Sequence, residues 1–149
     1  PVVLDPVLCS SSGHALLDPE GVQAMIALLL PRTTVLTPNL PELAGLAAAL
    51  GMDPALEREA VVDVLLSRGC RSVLLKGGHD LSSSVSEDIL YAAGSCPLAF
   101  RPPRFSFELR GTGCQLASGL AAGLARGQDV PEAIRAARCG VEARFRNAG

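Results

Sequence analysis

Three short aliphatic runs, each ended by a turn or a polar break, constrain the fold of this chain more than any other feature. They cover residues 2–4, 34–37 and 72–76, and amphipathic segments lie between them. Buried strands that alternate with helices are typical of a parallel α/β sheet with right-handed crossovers. We therefore predict one α/β unit without an internal repeat or linker.

The segments between these runs carry helix start and stop signals. Asp18 and Pro19 open a helix predicted to run to Leu30, because its apolar residues recur at spacings of three and four. Residues 88–91 and 97–100 predict a small hairpin, and residues 82–84 a solvent-exposed loop. The remaining predicted helices cover residues 41–50, 54–68, 114–126 and 131–145, the last with Asp129 as a possible N-cap.

Composition excludes several classes of protein. The chain has 149 residues, is 48% hydrophobic and has a formal net charge of −2, so we expect one ordered domain with no nucleic-acid or membrane-surface partner. The apolar runs are far shorter than the roughly 20 residues that span a bilayer, and we see no secretion signal. The five cysteines form no CxxC pair and, like the two histidines, have no metal-type spacing. We therefore expect reduced thiols in a cytoplasmic protein.

Candidate functional residues follow the ends of the predicted strands. Asp5 follows the first run, residues 37–42 the second and residues 76–78 the third, and the glycine-rich residues 111–114 open a helix. Ligands of open parallel sheets bind outside the carboxyl ends of the strands, so we expect these groups to face one crevice.

This combination of side chains favours phosphoryl transfer. A helix N-terminus rich in glycine binds anions, and Lys76 supplies a positive charge. The carboxylates of Asp5 and Glu42 are the oxygen ligands that Mg²⁺ prefers. Phosphoryl transfer depends mostly on positioning and on charge neutralisation, which such groups provide.

Each residue taken alone also has a purely structural interpretation. Asp5 could terminate a strand, Asn39 and Glu42 could cap a helix, and Lys76 could mark a strand exit. Cys114 could be a small packing thiol. The other four cysteines and both histidines are interpreted as structural or loop residues: Cys9, Cys70, Cys96, Cys139, His14 and His79.

The ordered motifs resemble those of the bacterial hydroxymethylpyrimidine/phosphomethylpyrimidine kinases of thiamin biosynthesis, in the ribokinase-like superfamily. The resemblance extends from Val2 to about Val141, and its motifs lie at residues 3–7, 12–17, 36–42, 73–79 and 111–114. It implies a three-layer α/β/α sandwich around a mainly parallel sheet, commonly dimeric. It also implies that residues 1–149 are the C-terminal portion of a single ribokinase-like kinase domain, whose N-terminal part is absent from this chain.

The resemblance implies ATP and Mg²⁺ as cofactors and assigns roles to residues by motif. Asn39 and Lys76 match positions at the ATP phosphates, and Glu42 and Asp5 match positions at the metal. The anion hole for the transferring phosphoryl group corresponds to Gly111, Thr112 and Gly113.

Cys114 matches the position of the catalytic base in this family. We expect the helix N-terminus to stabilise its thiolate and so to lower its pKa. The segment at residues 9–12 departs from the family, whose members are often more basic there.

The implied function is ATP-dependent phosphorylation of 4-amino-5-hydroxymethyl-2-methylpyrimidine and of its monophosphate, and the expected partner is that small-molecule substrate. Two alternatives stay open at this point. One is a pyridoxal kinase, since the pocket residues that would discriminate lie upstream of Pro1. The other is a non-catalytic nucleotide-binding or dimerisation fragment of the same fold. We also expect a homodimer.

Overall fold

The three aliphatic runs form adjacent parallel strands in the computed structural model of this protein. The structure describes residues 1–10, 12–53, 56–77, 87–101, 103, 105, 107 and 109–148. Strand β1 (Val3–Leu4) pairs with β2 (Val35–Leu36), and β2 pairs with β3 (Ser72–Leu75). The residues of β2 and β3 are buried, which explains why Val35–Leu36 and residues 73–75 are aliphatic without polar alternation.

A hairpin extends this sheet on the far side of β3. Strand β4 (Asp88–Ala92) runs antiparallel to β3, and β5 (Leu98–Phe100) runs antiparallel to β4. The order of the described strands is therefore β1-β2-β3-β4-β5, and only β4 opposes the common direction. The predicted hairpin and the mainly parallel sheet are both confirmed.

Helices cover both faces of the sheet. Residues on one face of the strands, such as Leu36 and Val73, pack with the first three helices, whereas Val35 and Leu74 pack with the last two. Successive strand residues point to opposite faces, so two separate cores form. This arrangement confirms the three-layer α/β/α sandwich. The helices are α1 (Pro19–Ala24), α2 (Leu40–Ala49), α3 (Arg58–Ser67), α4 (Thr112–Ala125) and α5 (Val130–Ala148).

The predicted helix from Pro19 to Leu30 is not regular along its length. Asp18 caps α1 as expected, but the chain then widens into a π-helical turn at Met25–Leu29 and tightens into a 3₁₀ turn at Leu30–Arg32. Pro31 has no N–H to donate and disfavours a continuing α-helix, and the segment ends at Arg32.

Two other expectations are affected by the described boundaries. The helix predicted at residues 54–68 begins at Arg58, and residues 54–55 lie outside the described residues. The loop predicted at residues 82–84 and His79 also lie outside them.

No described helix combines the length and the apolar character needed to cross a membrane.

Close packing of α4 on α5 fixes the direction of α4. A Cβ atom at Gly119 would lie 3.2 Å from the Ala137 Cα, and one at Gly123 would lie 3.1 Å from the Ala133 Cα. Only glycine allows the backbones to approach this closely. The two helices therefore pack closely on one face of the sheet.

Candidate active site

Asp5 lies just beyond the carboxyl end of β1 and accepts two hydrogen bonds from other strand ends. The hydroxyl Oγ1 of Thr37 donates to Asp5 Oδ1 at 2.9 Å, and the ammonium of Lys76 donates to the same oxygen at 3.1 Å. Thr37 is fully buried at the end of β2. The ends of three parallel strands therefore converge on one carboxylate oxygen.

The Lys76 ammonium also faces a second carboxylate. Its Nζ atom lies 3.7 Å from Glu42 Oε2, and the side chains of Lys76, Asp5 and Glu42 are only 13%, 15% and 12% exposed. Partial burial strengthens the attraction between such charges relative to that in water. The strand ends are held in line because the Lys76 N–H donates to the Pro38 carbonyl at 2.8 Å.

Asn39 and Glu42 form a capping box at the start of α2. The Glu42 N–H donates to Asn39 Oδ1 at 2.8 Å, and the Asn39 N–H donates to Glu42 Oε2 at 2.7 Å. The structural interpretation of this pair is therefore correct. A capping role is compatible with a functional role, because the cap holds the Glu42 carboxylate towards Lys76.

The start of α4 lies against the same ammonium. Gly111 caps this helix in a left-handed conformation with φ of 79°, which glycine adopts without strain. A Cβ atom at Gly113 would lie 3.4 Å from Lys76 Nζ. Thr112 is the first residue of the helix, so residues 111–113 present its N-terminal peptide groups beside the charge cluster.

Cys114 lies in this first turn, exposed to solvent and close to Asp5. Desolvation raises the pKa of its thiol, and the negative charge of Asp5 and a hydrogen bond to that carboxylate raise it further, while Lys76 lowers it. The expectation of a lowered pKa is wrong for this structure. The physical reason is that desolvation and the neighbouring carboxylate together outweigh Lys76 and the helix N-terminus.

Two residues that the structure brings to this site have no role in the sequence motifs. Thr37 belongs to a predicted strand-end segment, where a buried hydroxyl indicates a polar contact. Arg144 of α5 has no signal in the sequence. A Cβ atom at Gly111 would lie 3.8 Å from its Nη1 atom, and that guanidinium also donates to Gln115 Oε1 at 3.4 Å. It brings a second positive charge to the start of α4.

The donor set suits a magnesium ion shared with a ligand. Among the described residues no group of three or more histidine, cysteine, aspartate or glutamate side chains is arranged to hold a metal by itself. Mg²⁺ commonly takes one or two carboxylates and completes its shell with phosphate oxygens and water. Asp5 and Glu42 offer two carboxylates beside the N-terminus of α4, which fits that mode.

Comparison with known proteins shows which family this chain resembles. The profile of a family described as phosphomethylpyrimidine kinase matches residues 1–148. A hydroxymethylpyrimidine/phosphomethylpyrimidine kinase from Streptomyces coelicolor is 43% identical over 139 residues, covering 93% of this chain and 50% of that protein. The chain thus spans about half the length of this curated relative.

Solved structures agree on the fold. The pyridoxal kinase from Staphylococcus aureus in complex with AMP-PCP matches with a TM-score of 0.79 at 32% identity, covering 97% of this chain and 52% of that one. A phosphomethylpyrimidine kinase from Clostridium difficile matches with a TM-score of 0.74 at 29% identity, covering 96% and 56%. These similarities support the ribokinase-like α/β fold expected from the motifs.

Proposed function

This chain belongs to the phosphomethylpyrimidine kinase family, and we propose that the protein containing it is an ATP-dependent kinase. Its substrates are 4-amino-5-hydroxymethyl-2-methylpyrimidine and the monophosphate of that compound. The observation that carries the proposal is the convergence of Asp5, Glu42 and Lys76 beside the N-terminal turn of α4. Two carboxylates, one ammonium and an anion-binding helix end are the groups that phosphoryl transfer requires.

The phosphates of ATP bind between Lys76 and residues 111–113 in this proposal. The ammonium and the exposed N–H groups of the helix end neutralise and orient the phosphate oxygens. Asn39 keeps Glu42 in place through the capping box. Arg144 is a further cation within reach of the same helix end. The complex of a similar kinase with AMP-PCP supports a nucleotide ligand.

In this proposal Asp5 and Glu42 would hold Mg²⁺ together with phosphate oxygens. The bound ion would supply further positive charge to the phosphates of ATP. Both carboxylates contact Lys76 in the present structure, at 3.1 and 3.7 Å. The ammonium keeps both carboxylates in position, and we assign the two carboxylates as the ligands of the metal.

Cys114 acts as the base that receives the substrate proton. An alcohol is a poor nucleophile until its proton leaves, so the base must lie within hydrogen-bond reach of the hydroxyl. As the substrate oxygen bonds to the γ-phosphorus and the bond to the β-phosphate oxygen breaks, the proton passes to the Cys114 thiolate. The raised pKa makes the thiolate scarcer at neutral pH but a stronger base once it forms.

Pyridoxal is the second candidate substrate. The observation in its favour is the similarity to pyridoxal kinase structures at 30–32% identity, compared with 43% to the pyrimidine kinase from Streptomyces coelicolor. Both compounds present a hydroxymethyl group on a flat heteroaromatic ring, so the cluster described above serves either one. We also propose a homodimer, which the family resemblance implies, and a cytoplasmic location, which the cysteine pattern predicts. Light scattering of the purified protein tests the dimer.

The experiment that tests the function is a paired binding and turnover measurement. Calorimetry with Mg·AMP-PCP reports nucleotide binding, and a coupled ADP assay compares the two pyrimidines with pyridoxal. We expect nucleotide binding and a higher kcat/KM for the pyrimidines. A higher kcat/KM for pyridoxal would favour the second candidate, and absence of nucleotide binding would rule out both kinases and favour a non-catalytic role.

A further inference from the structure

Asp88, the first residue of β4, is a buried charge for which the proposed chemistry has no use. Its side chain is 2% exposed, and it is the one charged member of the buried polar side chains in the described part of the chain. Burying a carboxylate is costly unless it is paired. Its partner is Arg138 of α5, with which it forms an ion pair.

Arg138 is itself largely withdrawn from solvent. Its side chain is 15% exposed, and desolvation lowers its pKa to about 10, which still leaves the guanidinium charged at neutral pH. The pair therefore joins the last helix to the sheet through two opposite charges. Removing either partner alone would leave the other as an unpaired buried charge and would destabilise the fold.

The second oxygen of Asp88 holds the exit of β3. The Gly77 N–H donates to Asp88 Oδ1 at 3.0 Å, one residue after Lys76. The regular pairing of β3 with β4 ends at Leu75 opposite Ile89, so this side-chain contact takes over where the backbone ladder stops. A Cβ atom at Gly77 would lie 2.0 Å from the Glu87 carbonyl oxygen, so the two backbones are in close contact here.

We infer that Asp88, anchored by Arg138, is a positioning residue that fixes the Lys76 ammonium between the site carboxylates. The contacts run from Arg138 to Asp88, from Asp88 to the peptide that joins Lys76 and Gly77, and along the lysine side chain. Rotation of that peptide would swing Nζ away from Asp5. The consequence for phosphate binding rests on the proposed function, whereas the positioning of Lys76 does not.

Two double variants separate positioning from a purely structural role of the ion pair. Asp88→Asn with Arg138→Met and Asp88→Leu with Arg138→Met both remove the two charges. Asparagine and leucine have similar shapes, but only asparagine offers an oxygen to the Gly77 N–H. A purely structural ion pair would make the two variants behave alike.

The direct readout is the NMR signal of the ammonium, because Lys76 is the only lysine in the sequence. Protein labelled with ¹³C at the lysine ε-carbon gives one signal from this residue. We expect the asparagine variant to retain the parent chemical shift and the leucine variant to move towards the shift of a free lysine. Identical signals in both variants would overturn the inference, whatever happens to nucleotide binding.

Nucleotide affinity is the second readout. In the leucine variant we expect the affinity for Mg·AMP-PCP to fall about as far as in Lys76→Ala, roughly 10-fold or more. Combining the leucine variant with Lys76→Ala should add little further loss, since both changes remove one interaction. Fully additive losses would show that Asp88 acts elsewhere and would overturn the inference.

Two further outcomes keep the test decisive. If the parent protein binds no nucleotide but the lysine signal moves as expected, the proposed function fails and the positioning of Lys76 stands. If the leucine variant does not fold, hydrogen exchange of the Gly77 amide in the parent protein decides. We expect slow exchange for an N–H bonded to a buried carboxylate, and rapid exchange would overturn the inference.

Discussion

The Oδ1 atom of Asp5 lies 3.1 Å from the Nζ atom of Lys76, across 71 positions of sequence. Asp5 follows β1 and Lys76 follows β3, and β2 lies between them. Two strand spacings correspond to about 10 Å, so the long lysine side chain must reach across the end of β2 to make this contact. The ion pair therefore forms only when the carboxyl ends of the three parallel strands lie at the same level.

Replacement of Lys76 should weaken nucleotide binding through loss of charge. We expect Lys76→Ala to reduce the affinity for Mg·AMP-PCP by about 10-fold or more, as for a charge-assisted hydrogen bond worth about 1.5–3 kcal/mol. Lys76→Arg should retain most of the affinity because it keeps the charge. The matched control is Arg146→Ala, which removes a cation from an exposed ion pair with Glu142. Calorimetry that finds the same affinity in all four proteins would contradict the role of Lys76.

Glu42→Gln should separate the proposed role of this residue as a metal ligand from its role in the cap. Glutamine can still accept the Asn39 N–H, so we expect a change of less than about 1 kcal/mol in the free energy of unfolding. The Mg²⁺ concentration required for half-maximal activity should rise, because one anionic ligand is lost. Activity measured over a magnesium titration, with thermal denaturation in parallel, checks both statements.

The chain supplies a matched control for that experiment. Asp129 and Glu132 form a second capping box at the start of α5, with the Glu132 N–H donating to Asp129 Oδ1 at 2.7 Å. The neighbouring Val130 and Pro131 line a cavity with Ser72, at the amino end of β3 and so at the opposite edge of the sheet. Glu132→Gln should therefore leave the magnesium requirement unchanged. Equal shifts in both variants would trace the effect to the cap and not to the metal.

Cys114→Ala should abolish turnover and preserve nucleotide binding, because the substrate hydroxyl loses the proton acceptor that we propose. Cys114→Asp should restore part of the turnover, since a carboxylate is also a base. Circular dichroism checks that both variants fold. An alanine variant that turns over at the parent rate would show that the thiol only packs.

Asp5→Asn should lower the pKa of Cys114. The Asp5 charge and its hydrogen bond to the thiol both act to raise that pKa, so removing the charge shifts the midpoint of thiolate formation to lower pH. Alkylation rates of Cys114 at a series of pH values, read by mass spectrometry of its peptide, measure the midpoint. Thr37→Val, which removes the hydroxyl donor to Asp5 and keeps the charge, is the control. A midpoint that stays at the parent value in Asp5→Asn would contradict the assigned contact.

The pKa of the Tyr91 phenol should report its burial and its contact with Glu59. Burial, together with the charge of the neighbouring Glu59 and a hydrogen bond of 3.2 Å to its carboxylate, raises the pKa of Tyr91 to about 12. The folded pKa lies above the value of about 10 in an unfolded chain. The resulting stabilisation is fully present below pH 10 and is lost as the pH rises from 10 towards 12.

The measurement is direct because the sequence contains one tyrosine and no tryptophan. The near-ultraviolet absorbance of the phenolate should appear about two pH units higher in native protein than in urea. Glu59→Gln should move the native transition downwards. A native transition at the same pH as the unfolded one would show that Tyr91 is freely solvated.

Local patterns sufficed to predict the strands, the caps at Asp18, Asn39 and Asp129, and the carboxyl-end cluster. The run at residues 72–76 and the cap formed by Asp18 depend on neighbours in sequence, so they are visible without coordinates. The edge of a parallel sheet then brings Asp5, Glu42 and Lys76 together by topology alone. This is why the main residues of the candidate site could be named in advance.

Features that depend on distant packing could not be predicted. The π-helical turn at Met25–Leu29 has no signal in the sequence, because the apolar residues there are spaced as in an ordinary helix. The raised pKa of Cys114 depends on where the Asp5 side chain points. The pairing of Asp88 with Arg138 joins a strand to a helix far along the chain, and neither residue stands in a motif.

The order of the sheet has a consequence for how the chain folds. Each described strand pairs with the strand that precedes or follows it in sequence, so each pairing closes a loop of limited length and none has to close the whole chain. The hairpin of β4 and β5 closes the shortest loop, whereas the candidate site needs residues from both ends of the chain. Capture of a phosphate ligand is therefore a more stringent sign of complete folding than the appearance of the sheet itself.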